Sequence, residues 1–128
     1  MTGKVKSFGS RKLANLVIAA LEDIKGQSIE CINVRKLTPI TDYMIICTGT
    51  SSTHIKSLSD EVVRKVKEAG QRVNGVEGKQ QAEWVLVDLG AVVVHIMMAP
   101  VRALYNLEDL WGFEPGTRSS QDADPAGA

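Results

Sequence analysis

Residues 84–95 constrain the fold of this chain more than any other segment. Two runs rich in Val and Leu flank the pair Gly90-Ala91, and a two-residue turn with glycine first is one of the few whose twist matches antiparallel strands. The segment therefore predicts a β-hairpin. Because side chains alternate along each strand, one face of this hairpin is entirely aliphatic. The side chains on that face are Val85, Val87, Leu89, Val92, Val94 and Ile96.

The opposite face of the hairpin mixes large apolar and ionisable side chains, a combination that a sealed core rarely contains. Its members are Trp84, Leu86, Asp88, Val93, His95 and Met97. We interpret this mixed face as a surface that binds a partner. Two alternatives stay open. A helix that covered this face as well would make Trp84 part of the core, and a bulge at Gly90 would shift the register by one residue.

Length and charge restrict the class of protein. The 128 residues fit one domain, whose core needs no disulfide or metal. The 15 basic and 15 acidic residues cancel, so any contact with RNA has to be local. Cys31 and Cys47 lack metal-ligand spacing and are interpreted as buried free thiols. Because no apolar run resembles a signal peptide or a membrane span, we expect a cytoplasmic protein.

Apolar spacing predicts the remaining elements. Helices are expected near 11–25, 52–69 and 100–111, and Ser10 is the candidate cap of the first helix. Strands are expected at 28–34 and 42–48, with a short one at 72–76. The run at 42–48 is almost continuously apolar, which is typical of a strand buried on both faces. The expected layout is a disordered 1–9, one α/β domain at 10–112 and a flexible tail at 113–128.

A Gly-Ser loop at 49–54 begins with Gly49, contains Ser51 and ends with His54. A loop of this kind can cradle phosphate, because the N-terminus of the following helix offers unpaired N–H groups. The loop lacks the glycine spacing and lysine of a P-loop, however, and helix capping by Ser51 explains it better. The alternative function is a nucleotide-binding enzyme of nucleotidyltransferase type that uses this loop together with Asp42.

Candidate catalytic groups do not form a recognisable set. Two-metal nucleotidyl transfer needs carboxylates that converge on a strand, yet Asp42 and Asp88 stand alone, and Asp122 and Asp124 lie in the tail. No Gly-x-Ser-x-Gly motif is present, and the spacing of His54 and His95 does not suit a metal site. We therefore expect no enzyme activity, no cofactor and no bound metal.

Several short motifs carry a resemblance to a known family. They are Thr41-Asp42-Tyr43, Thr48-Gly49, Ser51-Ser52, His54, Glu77-Gly78, Trp84, Asp88-Leu89-Gly90, Val94-His95, Arg102, Leu104-Tyr105-Asn106-Leu107-Glu108 and Leu110-Trp111. Together they resemble the ribosomal silencing factors, also called Iojap-like proteins, over roughly residues 13–111. The resemblance implies a mixed β-sheet with flanking helices, in a nucleotidyltransferase-like fold without the catalytic carboxylates.

The resemblance also implies a function. Members of the family bind ribosomal protein L-fourteen of the large ribosomal subunit, block association with the small subunit and repress translation under nutrient limitation. They are often homodimers. The family's contact surface corresponds here to Trp84, Asp88, Leu89 and Tyr105, although the hairpin pattern places Leu89 on the aliphatic face. Ala91 stands where the family usually has an acidic residue, which removes one charge from the expected contact.

Overall fold

In a computed structural model, which describes residues 8–110, the chain forms a five-stranded sheet with flanking helices. The elements are α1 (Ser10–Asp23), β1 (Gln27–Asn33), β2 (Tyr43–Gly49), α2 (Ser52–Glu68), β3 (Gly75–Glu77), β4 (Trp84–Asp88), β5 (Val92–Met98), α3 (Ala99–Tyr105) and α4 (Leu107–Leu110). The strand order is β1-β2-β5-β4-β3, in which β2 and β5 are parallel and the other neighbours are antiparallel. The predicted α/β class and mixed sheet are confirmed.

The hairpin of β4 and β5 has the predicted register. Val87 pairs with Val94, and the Leu89 N–H donates to the Val92 carbonyl at 2.9 Å. Gly90 adopts a φ of 83°, a left-handed conformation that suits glycine, so the turn forms without a bulge that would move the register. All six aliphatic side chains of the predicted face are buried.

Helices α1 and α2 cover this aliphatic face. Their apolar side chains recur every three or four residues and therefore lie on one side of each helix. The buried members are Leu13, Ala14, Val17, Ala20 and Leu21 of α1 and Ile55, Leu58, Val62 and Val66 of α2. They form one core with alternate residues of β2, β4 and β5. Each large aliphatic side chain buried here contributes roughly 1.5–3 kcal/mol to folding.

The mixed face of the sheet is only partly covered. The short helices α3 and α4 lie over β2 and the neighbouring parts of β1 and β5, where a second cluster is buried: Ile32, Val34, Met44, Ile46, Met97 and Leu107. Trp84 and Val101 pack at its margin. The structure is thus intermediate between an open and a fully covered face, because a helical segment covers Met97 but leaves the β4 side chains on this face, Trp84, Leu86 and Asp88, half-buried.

Three sequence predictions are corrected. The expected helix at 100–111 is broken at Asn106, whose φ of 49° ends α3 and lets Leu107 turn back onto the sheet; asparagine tolerates this left-handed conformation better than most residues. The N-cap of α1 is Gly9, and Ser10 is already helical. The Ser10 hydroxyl accepts a hydrogen bond from the Arg35 guanidinium and does not cap the helix. The third short strand begins at Gly75, three residues later than expected.

Other predictions have mixed outcomes. Cys47 is buried, which raises the pKa of its thiol to about 11, whereas Cys31 is only partly buried. Within residues 8–110, no helix is long and apolar enough to cross a membrane. Of the disorder predicted at 1–9, residues 1–7 lie outside the described residues, as do the tail at 113–128 and the end of the last helix. Phe8 packs against the core and Gly9 is the N-cap of α1, which corrects the prediction at these two positions.

Ser59 in α2 offers a test of this packing. Its side chain is fully buried, and its Oγ has no hydrogen-bond partner within residues 8–110, which costs free energy that an alanine would not incur. We expect Ser59→Ala to raise the free energy of unfolding by about 1 kcal/mol, measured by urea denaturation. Ser57→Ala on the exposed side of the same helix is the matched control for helix propensity. Equal effects of the two substitutions would contradict the conclusion that the unpaired buried hydroxyl of Ser59 destabilises the folded protein.

Candidate functional site

Trp84 begins β4 and lies on the mixed face, where it pairs across the hairpin with Met97. Its indole is half-buried, and the ring N–H donates to Nδ1 of His95 at 3.0 Å. The two ring centroids are 5.9 Å apart. One edge of the indole is therefore fixed by a hydrogen bond to the sheet, while the rest of the ring remains partly open to solvent.

His95 lies in the middle of β5 and is only 7% exposed. Burial disfavours the charged imidazolium and lowers the pKa of His95 from 6.5 to about 4. The ring is therefore neutral at pH 7. Because Nδ1 accepts the indole N–H, the hydrogen bond assigns the imidazole proton to Nε2. Sequence alternation placed His95 on this face, but nothing in the sequence indicated that it holds Trp84.

Tyr105 covers the other side of Trp84 from the end of α3. The two ring centroids are 4.8 Å apart at an interplanar angle of 50°, a tilted arrangement typical of favourable aromatic pairs. Tyr105 is 55% exposed and its neighbour Leu104 is 76% exposed. The aromatic pair of Trp84 and Tyr105 is thus supported from beneath by the sheet and presents apolar surface outward.

Arg102 fixes the position of α3. Its Nη1 donates to the Ser28 carbonyl at 2.6 Å and to the Thr48 hydroxyl at 2.9 Å. These bonds join α3 to β1 and β2 and thereby hold Tyr105 against the sheet. No local sequence pattern indicates this contact, because the two partners of Arg102 lie 74 and 54 residues away.

Asp88 lies at the far end of β4 on the same face as Trp84, roughly 13 Å along the strand. Its Oδ1 accepts the Gly90 N–H at 2.9 Å, which stabilises the hairpin turn. The carboxylate is half-buried and forms no ion pair with any residue in 8–110. It therefore leaves acceptor capacity at the open part of the mixed face.

Leu89 is not brought to this surface. Its side chain is 6% exposed and packs in the aliphatic core beneath α1 and α2. The resemblance included Leu89 in the contact surface, but the strand alternation continues unchanged up to the turn and keeps its side chain on the aliphatic face. Of the four predicted contact residues, Trp84 and Tyr105 contact each other and Asp88 lies on the same face of the sheet. Leu89 lies on the opposite, aliphatic face.

The loop at 49–54 is closed by its own side chains. Ser51 accepts the His54 N–H at 3.1 Å, which confirms the predicted cap. His54 in turn accepts the Thr50 N–H at Nδ1 and bonds the Ile24 carbonyl through Nε2, at 2.9 and 2.7 Å. A Cβ on Gly49 would lie 2.6 Å from Ile55, so close packing against α2 explains the glycine.

The alternative nucleotide site is not assembled. Asp42 precedes β2 and the loop follows it, so they lie at opposite ends of the strand, roughly 23 Å apart. Within the described part of the chain, no three His, Cys, Asp or Glu side chains are grouped as metal ligands. The structure thus corrects the grouping of Asp42 with the loop.

Comparisons with known proteins are consistent with one family. The family model described as "Ribosomal silencing factor during starvation" matches residues 7–127. A ribosomal silencing factor from Chromobacterium violaceum is 47% identical over 102 residues, which are 80% of this chain and 84% of that protein. A crystal structure of a protein from the same organism has a TM-score of 0.83 at 42% identity, covering 92% of this chain and 98% of that one.

A more distant relative is found in Mus musculus. It is named mitochondrial assembly of ribosomal large subunit protein 1 and is 30% identical over 112 residues, which cover 85% of this chain and 49% of that protein. The similarity therefore extends to a protein whose name refers to the large ribosomal subunit.

The buried neutral state of His95 predicts a pH dependence of stability. Because the pKa is lowered from 6.5 to about 4, the unfolded chain takes up this proton before the folded one does. The stabilising contribution is complete above pH 6.5 and is lost as the pH falls towards 4. Between pH 7 and 5 we expect protonation of His95 in the unfolded chain to lower the free energy of unfolding by about 1–2 kcal/mol, measured by urea denaturation.

His95→Gln is the control for this measurement, since a glutamine carbonyl can accept the Trp84 N–H without titrating. The variant should lose less stability than the native chain over the same pH interval. Parallel losses in the two proteins would show that His95 does not remain neutral through its burial.

Proposed function

Because the chain belongs to the ribosomal silencing factor family, we propose that it binds the large ribosomal subunit through ribosomal protein L-fourteen and blocks association with the small subunit. Family membership confirms the resemblance noted in the sequence, and the family's named role is regulatory. Translation is then repressed when nutrients are limiting. The large-subunit target is supported by the name of the Mus musculus relative.

The observation that carries the proposal is the aromatic pair of Trp84 and Tyr105 at the margin of the covered part of the mixed face. Protein interfaces concentrate their energy in a few aromatic anchors. Trp84 is held by His95 on one side and by Tyr105 on the other, so little side-chain freedom remains to be lost on binding. An anchor arranged in advance in this way binds at a lower entropic cost.

Asp88 supplies the charged part of the proposed contact. Ribosomal proteins are rich in Arg and Lys, and a carboxylate forms strong charge-assisted hydrogen bonds with these side chains. Ala91 contributes no charge at the turn, so Asp88 carries this contact. Leu89 supports the surface from the core side and does not touch the partner.

Further parts of the proposal rest on the resemblance and on sequence pattern. We propose a nucleotidyltransferase-like fold without catalytic carboxylates, a cytoplasmic location and action without a cofactor. The ribosome-binding domain is proposed to span 10–112. A homodimer is proposed too, supported by the exposed side chain of Leu104 beside Tyr105. A dimer that buried Trp84 would compete with ribosome binding.

Replacement of the aromatic anchor tests the proposal. Trp84→Ala should weaken binding to purified large ribosomal subunits by about 2 kcal/mol, a roughly thirtyfold loss of affinity. Binding is measured by co-sedimentation, and thermal melting is recorded on the same samples.

Val63→Ala is the control for lost stability. Val63 is half-buried and packs against the core on the helix-covered side, so its truncation should lower the melting temperature without changing the affinity. Normal binding by folded Trp84→Ala protein would contradict the proposed contact.

Asp88→Asn tests the charge of Asp88 separately from its hydrogen bond in the hairpin turn. The amide oxygen can still accept the Gly90 N–H, whereas the negative charge is lost. We expect a smaller reduction in affinity than for Trp84→Ala, larger at low salt than at high salt, because exposed charges are screened. Unchanged affinity at every ionic strength would exclude Asp88 from the contact.

A further inference from the structure

Four cations belong to two short segments that meet at Tyr43, where β2 begins. Arg11 and Lys12 belong to the first turn of α1, and Arg35 and Lys36 follow β1. All four side chains are exposed. We call this group the basic patch. It is local, since the chain as a whole carries equal numbers of acidic and basic residues.

The two guanidinium groups of the basic patch are placed by one buried ring. Arg35 donates from Nη2 to the Tyr43 hydroxyl at 3.2 Å and to the Ser10 hydroxyl at 3.3 Å. Its Cζ lies 5.2 Å from the centroid of the Tyr43 ring, and the Cζ of Arg11 lies 5.5 Å from the same centroid. Tyr43 is 6% exposed, so packing in the core fixes the position of the ring that both guanidinium groups contact.

No carboxylate of the described chain neutralises the basic patch. The ion pairs within residues 8–110 involve Arg64, Lys65 and Lys79, and none involves a member of the patch. Asp42 precedes Tyr43, but its carboxylate forms no ion pair with these cations. Mutual repulsion of the four charges therefore opposes folding locally, and an external anion would relieve it.

The basic patch is close to the proposed binding surface. Tyr43 pairs with Val92 and Asp88 pairs with Val93, so the backbone of Tyr43 lies about 10 Å from the backbone of Asp88, across two strand spacings. Arg11 and Arg35 stack on the helix-covered side of Tyr43, whereas Asp88 faces the opposite side of the sheet. A partner that wraps this edge can contact both.

We infer that the basic patch binds the sugar–phosphate backbone of ribosomal RNA next to the protein contact. This inference rests on the proposed function, which brings the chain to a particle made largely of RNA. Closely spaced phosphates suit several cations held at one edge, and Arg and Lys are the side chains that contact them most often. The contact is independent of base sequence, and it is local, as the neutral overall charge of the chain requires.

The test compares two doubly substituted proteins. Arg11→Gln with Lys36→Gln removes two charges from the patch and keeps Arg35, which bonds Ser10 and Tyr43. Lys56→Gln with Lys67→Gln removes two charges from exposed positions of α2 that form no ion pair in the described chain. Affinity for purified bacterial large ribosomal subunits is measured over a series of salt concentrations, with thermal melting to confirm that each protein is folded.

The patch variant should bind roughly tenfold more weakly at low salt, and the slope of log affinity against log salt should fall by about 1.5, since two phosphate contacts are lost. The α2 variant should keep the native slope. If the native chain does not bind the subunits, the proposed function fails. If the native chain binds and the two variants share its slope, or lose affinity equally, the patch inference is overturned and the proposed function stands.

A photo-crosslinking amino acid in place of Lys36 identifies the partner directly. Adducts with ribosomal RNA support the inference. Adducts with ribosomal protein alone overturn it and indicate an acidic protein surface instead.

Discussion

Burial of the aliphatic face of β4 and β5 beneath α1 and α2 determines the rest of the structure. Val85, Val87, Val94 and Ile96 are fully buried there, and side chains of a strand alternate between its faces. Once these residues enter the core, Trp84, Asp88 and His95 have to lie on the other side. A register shift of one residue would exchange the two faces at a cost of several kcal/mol. Burial of the aliphatic side chains on one face thus determines which side chains lie on the other face.

The mixed face owes its form to incomplete coverage. The break at Asn106 turns Leu107 onto the sheet, and Arg102 ties α3 to β1 and β2. Coverage therefore ends beside Trp84, which keeps one edge against the neutral imidazole of His95 and one face against Tyr105. Fixed aromatic rings at the margin of a core are well suited to binding, since they lose little freedom when a partner covers them.

Local periodicity was sufficient to predict much of this architecture. The hairpin register, the central apolar strand and the cap at Ser51 each follow from a pattern within a few residues. The kink at Asn106 could not be predicted that way, because apolar spacing continues across it and the packing of Leu107 decides it. The roles of His95 and Arg102 depend on contacts between residues 11 to 74 positions apart. The hairpin pattern had already placed Leu89 in the core, and only the family resemblance suggested that it reached the surface.

The central claim is that the uncovered part of the mixed face is the surface that meets the large ribosomal subunit. A cryo-electron microscopy structure of this chain bound to a bacterial large subunit tests that claim most directly. The account predicts that Trp84 and Tyr105 contact ribosomal protein L-fourteen while α1 and α2 cover the aliphatic face as in the free chain. A complex in which the outer surface of α2 or the loop at 49–54 meets the subunit, with Trp84 open to solvent, would contradict it.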